Sequence, residues 1–304
     1  MNNSKYDLES KIEKLKSIDI NAINSDSESL KLWKVYSTIC KKKCQLEEKV
    51  FTISESNSSK LDMINSYGFF DFKKQDCSLE EQYLSPLFEQ INDYHKNPSP
   101  KLLRSCVSNT TVGNDIEVIK SMVFCDNILD ENLARLKEYL IKSGIKEIIE
   151  SHYGCNSGIT NVRLSRWSHN PQSKNTHIEE KFAKESNGSL MRDVGFHHDA
   201  GLPDDVVKVF IYKSASPCNK ILNEKHGLTQ IFINNNFIIA TSRLYSVIVF
   251  NSKTISHRSP YPAFEHDRDS IEVTFLPRLE DDFLIVQAGN MAGMPKNPFQ
   301  SWEK

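Results

Sequence analysis

Two hydrophobic rhythms divide the chain. Over its first third, apolar residues recur every three or four positions: Leu8, Ile12, Leu15 and Ile18, then Leu32, Tyr36 and Ile39. That spacing places them on one face of a helix, so amphipathic helices are predicted there. The stretch "SESNSSK" (54–60) reads as a polar loop. Ser78, with Glu81 three residues on, is a capping-box signature, and it opens a stripe of Leu84, Leu87, Phe88 and Ile91. Pro86 falls inside this stripe, where a missing donor is expected to kink or restart the helix. "KNPSP" (96–100) ends it, because proline disfavours helix in the residue before it.

The rhythm then changes. "EVIKSMVF" (117–124) predicts a strand. "DENLARLKEYLIKSG" (130–144) predicts a helix with Asp130 as cap, Leu133, Leu136 and Leu140 on one face, and Gly144 at the stop. From Ile159 onward short strands dominate: "ITNVRLSRW", "SLMRDVGF", "VVKVFIYK", "LTQIFI", "YSVIVFN", "SIEVTFL" and "FLIVQA". Many short strands without intervening helices predict a sandwich or jelly roll. The expected organisation is a helical N-terminal region over 1–112 and a mainly β core with packed helices over 113–304.

Composition narrows the function classes. The 304 residues carry 38 basic and 40 acidic side chains, a net charge of -2, so no bulk field favours phosphate and no nucleic-acid partner is expected. The seven cysteines are odd in number and form no C-x-x-C pair. The N-terminus lacks an apolar signal segment, and no run approaches the ~18 apolar residues of a membrane span. These features predict a soluble, cytoplasmic protein with free thiols and no membrane partner. Cys40 and Cys44, four apart on a helix, read as buried thiols rather than a metal pair.

The chemistry concentrates in "GFHHDAGLPDDVVKVFIYKS" (195–214). If a strand runs through it, His197 and Asp199 share one face and His198 points to the other. A third ligand is available in His257, at the end of the "YSVIVF" strand; His266, in the charged "FEHDRD", is the weaker rival. Two histidines and a carboxylate match the facial triad of non-haem iron(II) oxygenases, whereas a structural zinc site is usually closed by four protein ligands. Arg268 follows His257 by eleven residues and opens a strand. Parity puts Arg268, Ser270, Glu272 and Thr274 on one face, and Ile271, Val273 and Phe275 on the other. Such a polar face usually meets water. In a jelly roll that lodges a polar ligand it can line the barrel instead, with helices on the apolar face. The arginine fork suits a carboxylate, and Ser270 can add a hydroxyl donor. Trp167 and Arg163 share parity, as pocket lining or as a core tryptophan with an arginine stacked outside. Lys208 and Tyr212 share a face whose direction parity alone leaves open.

His197-x-Asp199, His257 and Arg268-x-Ser270, in this order and spacing, resemble the iron(II)/2-oxoglutarate-dependent dioxygenases, and most of all the phytanoyl-CoA dioxygenase-like branch. The resemblance spans roughly Val118 to Val286, its specific motifs lying between Phe196 and Ser270. It implies a double-stranded β-helix with helices packed on one sheet. It also implies catalytic iron on His197, Asp199 and His257, and 2-oxoglutarate held by Arg268 and Ser270. Oxygen would be the co-reactant, ascorbate a candidate reductant, and a C–H bond of a small molecule the target, by hydroxylation, desaturation or cyclisation. Relatives that halogenate carry a small residue where this chain has Asp199. Many relatives have an Asn-Gly-Pro turn and a Pro-Gly-Ser-His segment where "SPCNKILNEKHGL" keeps only Gly227 and Leu228. The competing readings are a cupin-like metal protein of another reaction class, which has no evident need of Arg268-x-Ser270, and a non-catalytic interaction protein on the same scaffold. The polar segment 169–188 is expected to form a substrate lid.

Overall fold

The computed structural model describes residues 2–23, 25–72, 76–99, 101–102, 105–112, 115–169, 196–199, 201–213, 229–233, 236–239, 244–258, 267–285 and 297–299. The six α-helices among them are α1 (Asn2–Lys16), α2 (Asp26–Leu46), α3 (Glu55–Tyr67), α4 (Ser78–Lys96), α5 (Asp130–Lys142) and α6 (Ile145–Tyr153). The strands are β1 (Phe69–Phe72), β2 (Ser105–Val112), β3 (Asp115–Phe124), β4 (Ser157–His169), β5 (Val207–Lys213), β6 (Gln230–Ile233), β7 (Asn236–Ile239), β8 (Tyr245–Phe250), β9 (Ser256–Arg258) and β10 (Arg268–Pro277). The lid segment beyond His169, and "SLMRDVGF" up to residue 195, lie outside the described residues.

Seven strands form one sheet in the order β1-β8-β5-β10-β4-β3-β2, and three form a second in the order β7-β6-β9. From β5 to β10 the chain passes back and forth between them: β5 in the large sheet, β6 and β7 in the small, β8 in the large, β9 in the small, β10 in the large. All ladders within the two sheets are antiparallel. This winding is the double-stranded β-helix, a jelly roll with packed helices, as the strand pattern predicts.

Several local expectations are corrected. Residues 54–60 are not a loop: Ser54 is the N-cap of α3, and Asn57 turns inward. Asn57 Nδ2 donates to Glu147 Oε2 at 3.5 Å, and its Oδ1 accepts from Lys60 at 3.0 Å. Contacts with α6 thus decide a segment whose own composition is uninformative. The capping box at Ser78 does not form, since Ser78 is already the first helical residue. Asp76 takes the role instead, its Oδ1 accepting from Ser78 N at 2.9 Å. α4 runs through Pro86 as one helix. Leu129, not Asp130, occupies the cap position of α5. "FLIVQA" does not continue as a strand over 283–285: Phe283 has φ 42°, and Ile285 makes only an isolated bridge to Ile159. Residues 286–288 of that stretch lie outside the described residues. The largely helical stretch 1–112 also supplies β1, paired with β8, and β2, paired with β3.

The large sheet solves its two-faced pattern by turning the polar side inward. Val207, Val209, Ile211, Val247, Val249, Ile271, Val273 and Phe275 share one core with Leu84, Leu87, Ile91, Leu136, Tyr139 and Ile148 of the helices. α2 closes this layer with Trp33 and Tyr36, whose rings meet edge-on at 5.5 Å, and Tyr36 Oη accepts from Leu279 N at 3.2 Å. On the inner side a smaller apolar cluster of Phe69, Tyr212, Ile231, Ile248, Phe250 and Ile255 ties the two sheets together.

Gly144 joins α5 to α6 at φ +81°, a left-handed conformation that costs other residues energy, and a Cβ there would collide with the buried Asn57 side chain. Gly144→Ala is expected to destabilise the fold by about 1–3 kcal/mol, from the left-handed backbone plus displacement of Asn57. Urea denaturation of the two proteins measures the difference.

Candidate metal centre

Backbone hydrogen bonds assemble this site before any metal is considered. His197 and His257 exchange a pair of them, His197 N to His257 O at 2.9 Å and His257 N to His197 O at 3.0 Å. His197 is therefore not inside a strand, as the parity argument assumed, but forms a single bridge on the edge of β9 away from β6. Two residues on, Asp199 N donates to Ser252 O at 2.9 Å, so the extended backbone still brings His197 and Asp199 together. His257 sits in the middle of β9, after the turn that follows β8, rather than at the end of β8.

The ligand atoms of His197, Asp199 and His257 all lie within 4.8 Å of one another. His197 Nε2 is 4.0 Å from Asp199 Oδ1, and His257 Nε2 is 3.9 Å from Asp199 Oδ2. His257 is buried, Asp199 half-buried and His197 exposed. His198 is exposed and not part of this group, and His266 lies outside the described residues. His257 Nδ1 donates to Ile255 O at 2.9 Å, which leaves the Nε2 lone pair facing Asp199. Burial depresses the His257 pKa to about 4, so the ring is neutral at neutral pH. Burial pushes the Asp199 carboxyl up, but the neighbouring Lys208 charge outweighs it and the pKa is lowered. The set thus presents two imidazoles and one carboxylate, with Asp199 and His257 in the deprotonated forms a metal requires. Asp199 Oδ2 is buried and, though 2.9 Å from Lys208 Nζ, has no well-directed hydrogen bond. This donor set suits iron(II), and the three residues could hold it.

Around them is a cavity of about 120 Å³ lined by residues of both sheets. From β10 come Arg268, Ser270 and Glu272; from β4 Arg163, Ser165 and Trp167; from β5 Lys208, Phe210 and Tyr212; from β3 Lys120. This settles the open parity choices: Trp167, Arg163, Lys208 and Tyr212 all face inward. Arg268 pairs across the sheet with Trp167, and its guanidinium stacks 4.7 Å from the indole centroid. Lys120, opposite Trp167 on the other side, lies 4.1 Å from the same ring. Ser270 Oγ is 2.7 Å from Ser165 Oγ. Arg258 and Arg278 do not line the cavity: Arg258 donates to Gln230 Oε1 at 2.7 Å and Arg278 to Asp282 Oδ2 at 2.7 Å.

An ion chain that sequence reasoning did not assemble runs through the cavity wall. Arg163 pairs with Glu272 Oε2, Lys208 Nζ lies 2.9 Å from Glu272 Oε1, and the same Nζ is 2.9 Å from Asp199 Oδ2. Burial pushes the Glu272 carboxyl up, yet Arg163 and Lys208 bring its pKa down to about 2. Burial pushes Lys208 down, and Glu272 and Asp199 outweigh that and raise its pKa. The available signal was a glutamate in the middle of an otherwise strand-forming run, in parity with Arg268 and Ser270.

No protein-family model matches this chain, and no curated protein matches it. Among solved structures, it is similar to the non-heme alpha-ketoglutarate dependent epimerase SnoN from nogalamycin biosynthesis (10% identity, 73% of this chain, 83% of that one, TM-score 0.48). It is similar to a Trichoplax adhaerens prolyl hydroxylase (12% identity, 75% and 95%, TM-score 0.46) and to EctD from S. alaskensis (13% identity, 77% and 81%, TM-score 0.46). Likenesses at this level fix neither substrate nor reaction. Among the described residues, no helix is long and apolar enough to cross a membrane.

The geometry predicts which side chains bind a divalent cation. His257→Ala and Asp199→Ala should each weaken Mn(II) binding by about tenfold or more, and His197→Ala likewise. His198→Ala should leave it unchanged. Titration with Mn(II), followed by the free-ion paramagnetic resonance signal, measures all four.

Proposed function

We propose that this chain is an iron(II)- and 2-oxoglutarate-dependent oxygenase acting on a C–H bond of a small molecule. One observation carries the reading: two histidines and a carboxylate, with ligand atoms within 4.8 Å of one another, open onto a cavity that also contains Arg268 and Ser270. Bound metal and cosubstrate would supply the oxidising power that no side chain possesses. The chain's own residues do the rest. His197, Asp199 and His257 would hold the metal through three protein groups. Arg268 offers two parallel donors to the far carboxylate of 2-oxoglutarate, and Ser270 a third. The Trp167 ring fixes the plane of the Arg268 guanidinium, at 4.7 Å from its centroid. Residues 113–304 carry this chemistry in the proposal, with 1–112 backing the large sheet. Hydroxylation, desaturation and cyclisation all begin with loss of a C–H bond and differ in the bond that replaces it.

The test is turnover. Purified protein with iron(II) and oxygen should convert 2-oxoglutarate to succinate, and the His197→Ala, Asp199→Ala and His257→Ala variants should not. Absence of turnover in the parent protein, across a screen of metabolite pools, would overturn the reading. Arg268→Ala should raise the apparent KM for 2-oxoglutarate by roughly 30-fold or more, since an unpaired buried carboxylate costs about 2–5 kcal/mol. Its Mn(II) affinity should be unchanged. A succinate assay across cosubstrate concentrations separates these effects.

A further inference from the structure

Lys208 is hard to account for as packing. It stands on β5, between the two sheets, with its side chain 11% exposed. A lysine has a long stem that can usually carry its charge to water. This one instead ends between two carboxylates, 2.9 Å from Asp199 Oδ2 and 2.9 Å from Glu272 Oε1. Glu272 is fastened from the other side by Arg163. Two cations and two anions therefore balance along the wall, and the terminal anion is a residue of the metal triad.

We infer that Lys208 is a positioning residue of the proposed metal site, engaging one oxygen of Asp199 so that the carboxylate offers a cation its other oxygen. The inference rests on the metal reading above. Two consequences follow from charge. An ammonium against Oδ2 opposes a second oxygen binding the same cation, which preserves positions for other ligands. It also repels a divalent ion nearby, so the site holds its metal less tightly than a bare carboxylate would. Glu272 moderates both effects by sharing the ammonium. Removing Lys208 and removing the Glu272 charge should therefore act in opposite directions, whereas simple damage to the wall would weaken binding in both variants.

The experiment uses the full chain and Mn(II) alone. Lys208→Met should bind Mn(II) about tenfold more tightly than the parent. It should also retain one water fewer on the ion, counted by line broadening in oxygen-17 water, as Asp199 swings to two-oxygen binding. Glu272→Gln, which leaves the whole ammonium on Asp199, should bind Mn(II) more weakly. If Lys208→Met does not fold, Lys208→Gln keeps a polar side chain there, removes the charge, and should still bind more tightly. Unchanged or weaker binding in a folded Lys208 variant overturns the inference. So does weakening in both Lys208 and Glu272 variants, which would make the chain structural only. Should the parent bind no Mn(II) through His197, Asp199 and His257, the metal reading itself fails, and this inference with it.

Discussion

The pairing of charge inside the barrel is the constraint on which the rest of the structure depends. Arg163, Glu272, Lys208 and Asp199 form a wall in which Glu272 and Lys208 are buried and the other two half-buried, and an isolated buried charge there would cost several kcal/mol. Linked head to tail, each charge has an opposite neighbour. Desolvation works against the ionised forms of Glu272, Lys208 and Asp199, and their charged neighbours overcome it. A barrel so lined can keep polar groups facing one another across a cavity without filling it with apolar side chains.

That interior choice dictates the exterior. β5, β8 and β10 carry valines, isoleucines and a phenylalanine on the face turned from the cavity, and this face must be covered. The amphipathic helices α4, α5 and α6 supply the cover, with α2 packing Trp33 and Tyr36 into the same core. The helical first third is thus bound to the sheet by the hydrophobic effect, and by two strands that extend its edges. The inner apolar cluster around Phe250 and Ile231 is small by comparison, and it fixes the separation of the sheets near the candidate ligands: Phe250 lies 4.9 Å from the His257 ring.

Main-chain bonds hold the backbone of the candidate centre in place. The reciprocal His197–His257 bridge and the Asp199–Ser252 bond hold the three residues relative to one another through the peptide backbone. The Ile255 carbonyl then fixes the ring of His257. Ligand precision on this scale normally requires such a supporting shell.

Local signals in the sequence determined much of this. Short β-branched apolar runs in "VVKVFIYK" and "YSVIVF", and polar/apolar alternation in "SIEVTFL", mark β5, β8 and β10. The order His197-x-Asp199, His257, Arg268-x-Ser270 is itself a sequence property, and so is the shared parity of Glu272 with Arg268. Segments without a strong period were not legible: β1 is only four residues long, β2 is mostly small and polar, and α3 is mostly polar with an inward Asn57 that bonds to Glu147 of α6. Which face of the large sheet turns inward was likewise undecided, since a period of two is the same read from either side. Tertiary structure decided it, by stacking helices on one face and a second sheet on the other. Only then could Lys208, whose face of β5 parity left open, meet Asp199 and Glu272 at one point, because neither residue is its neighbour along the chain and only the closed barrel brings the three side chains together.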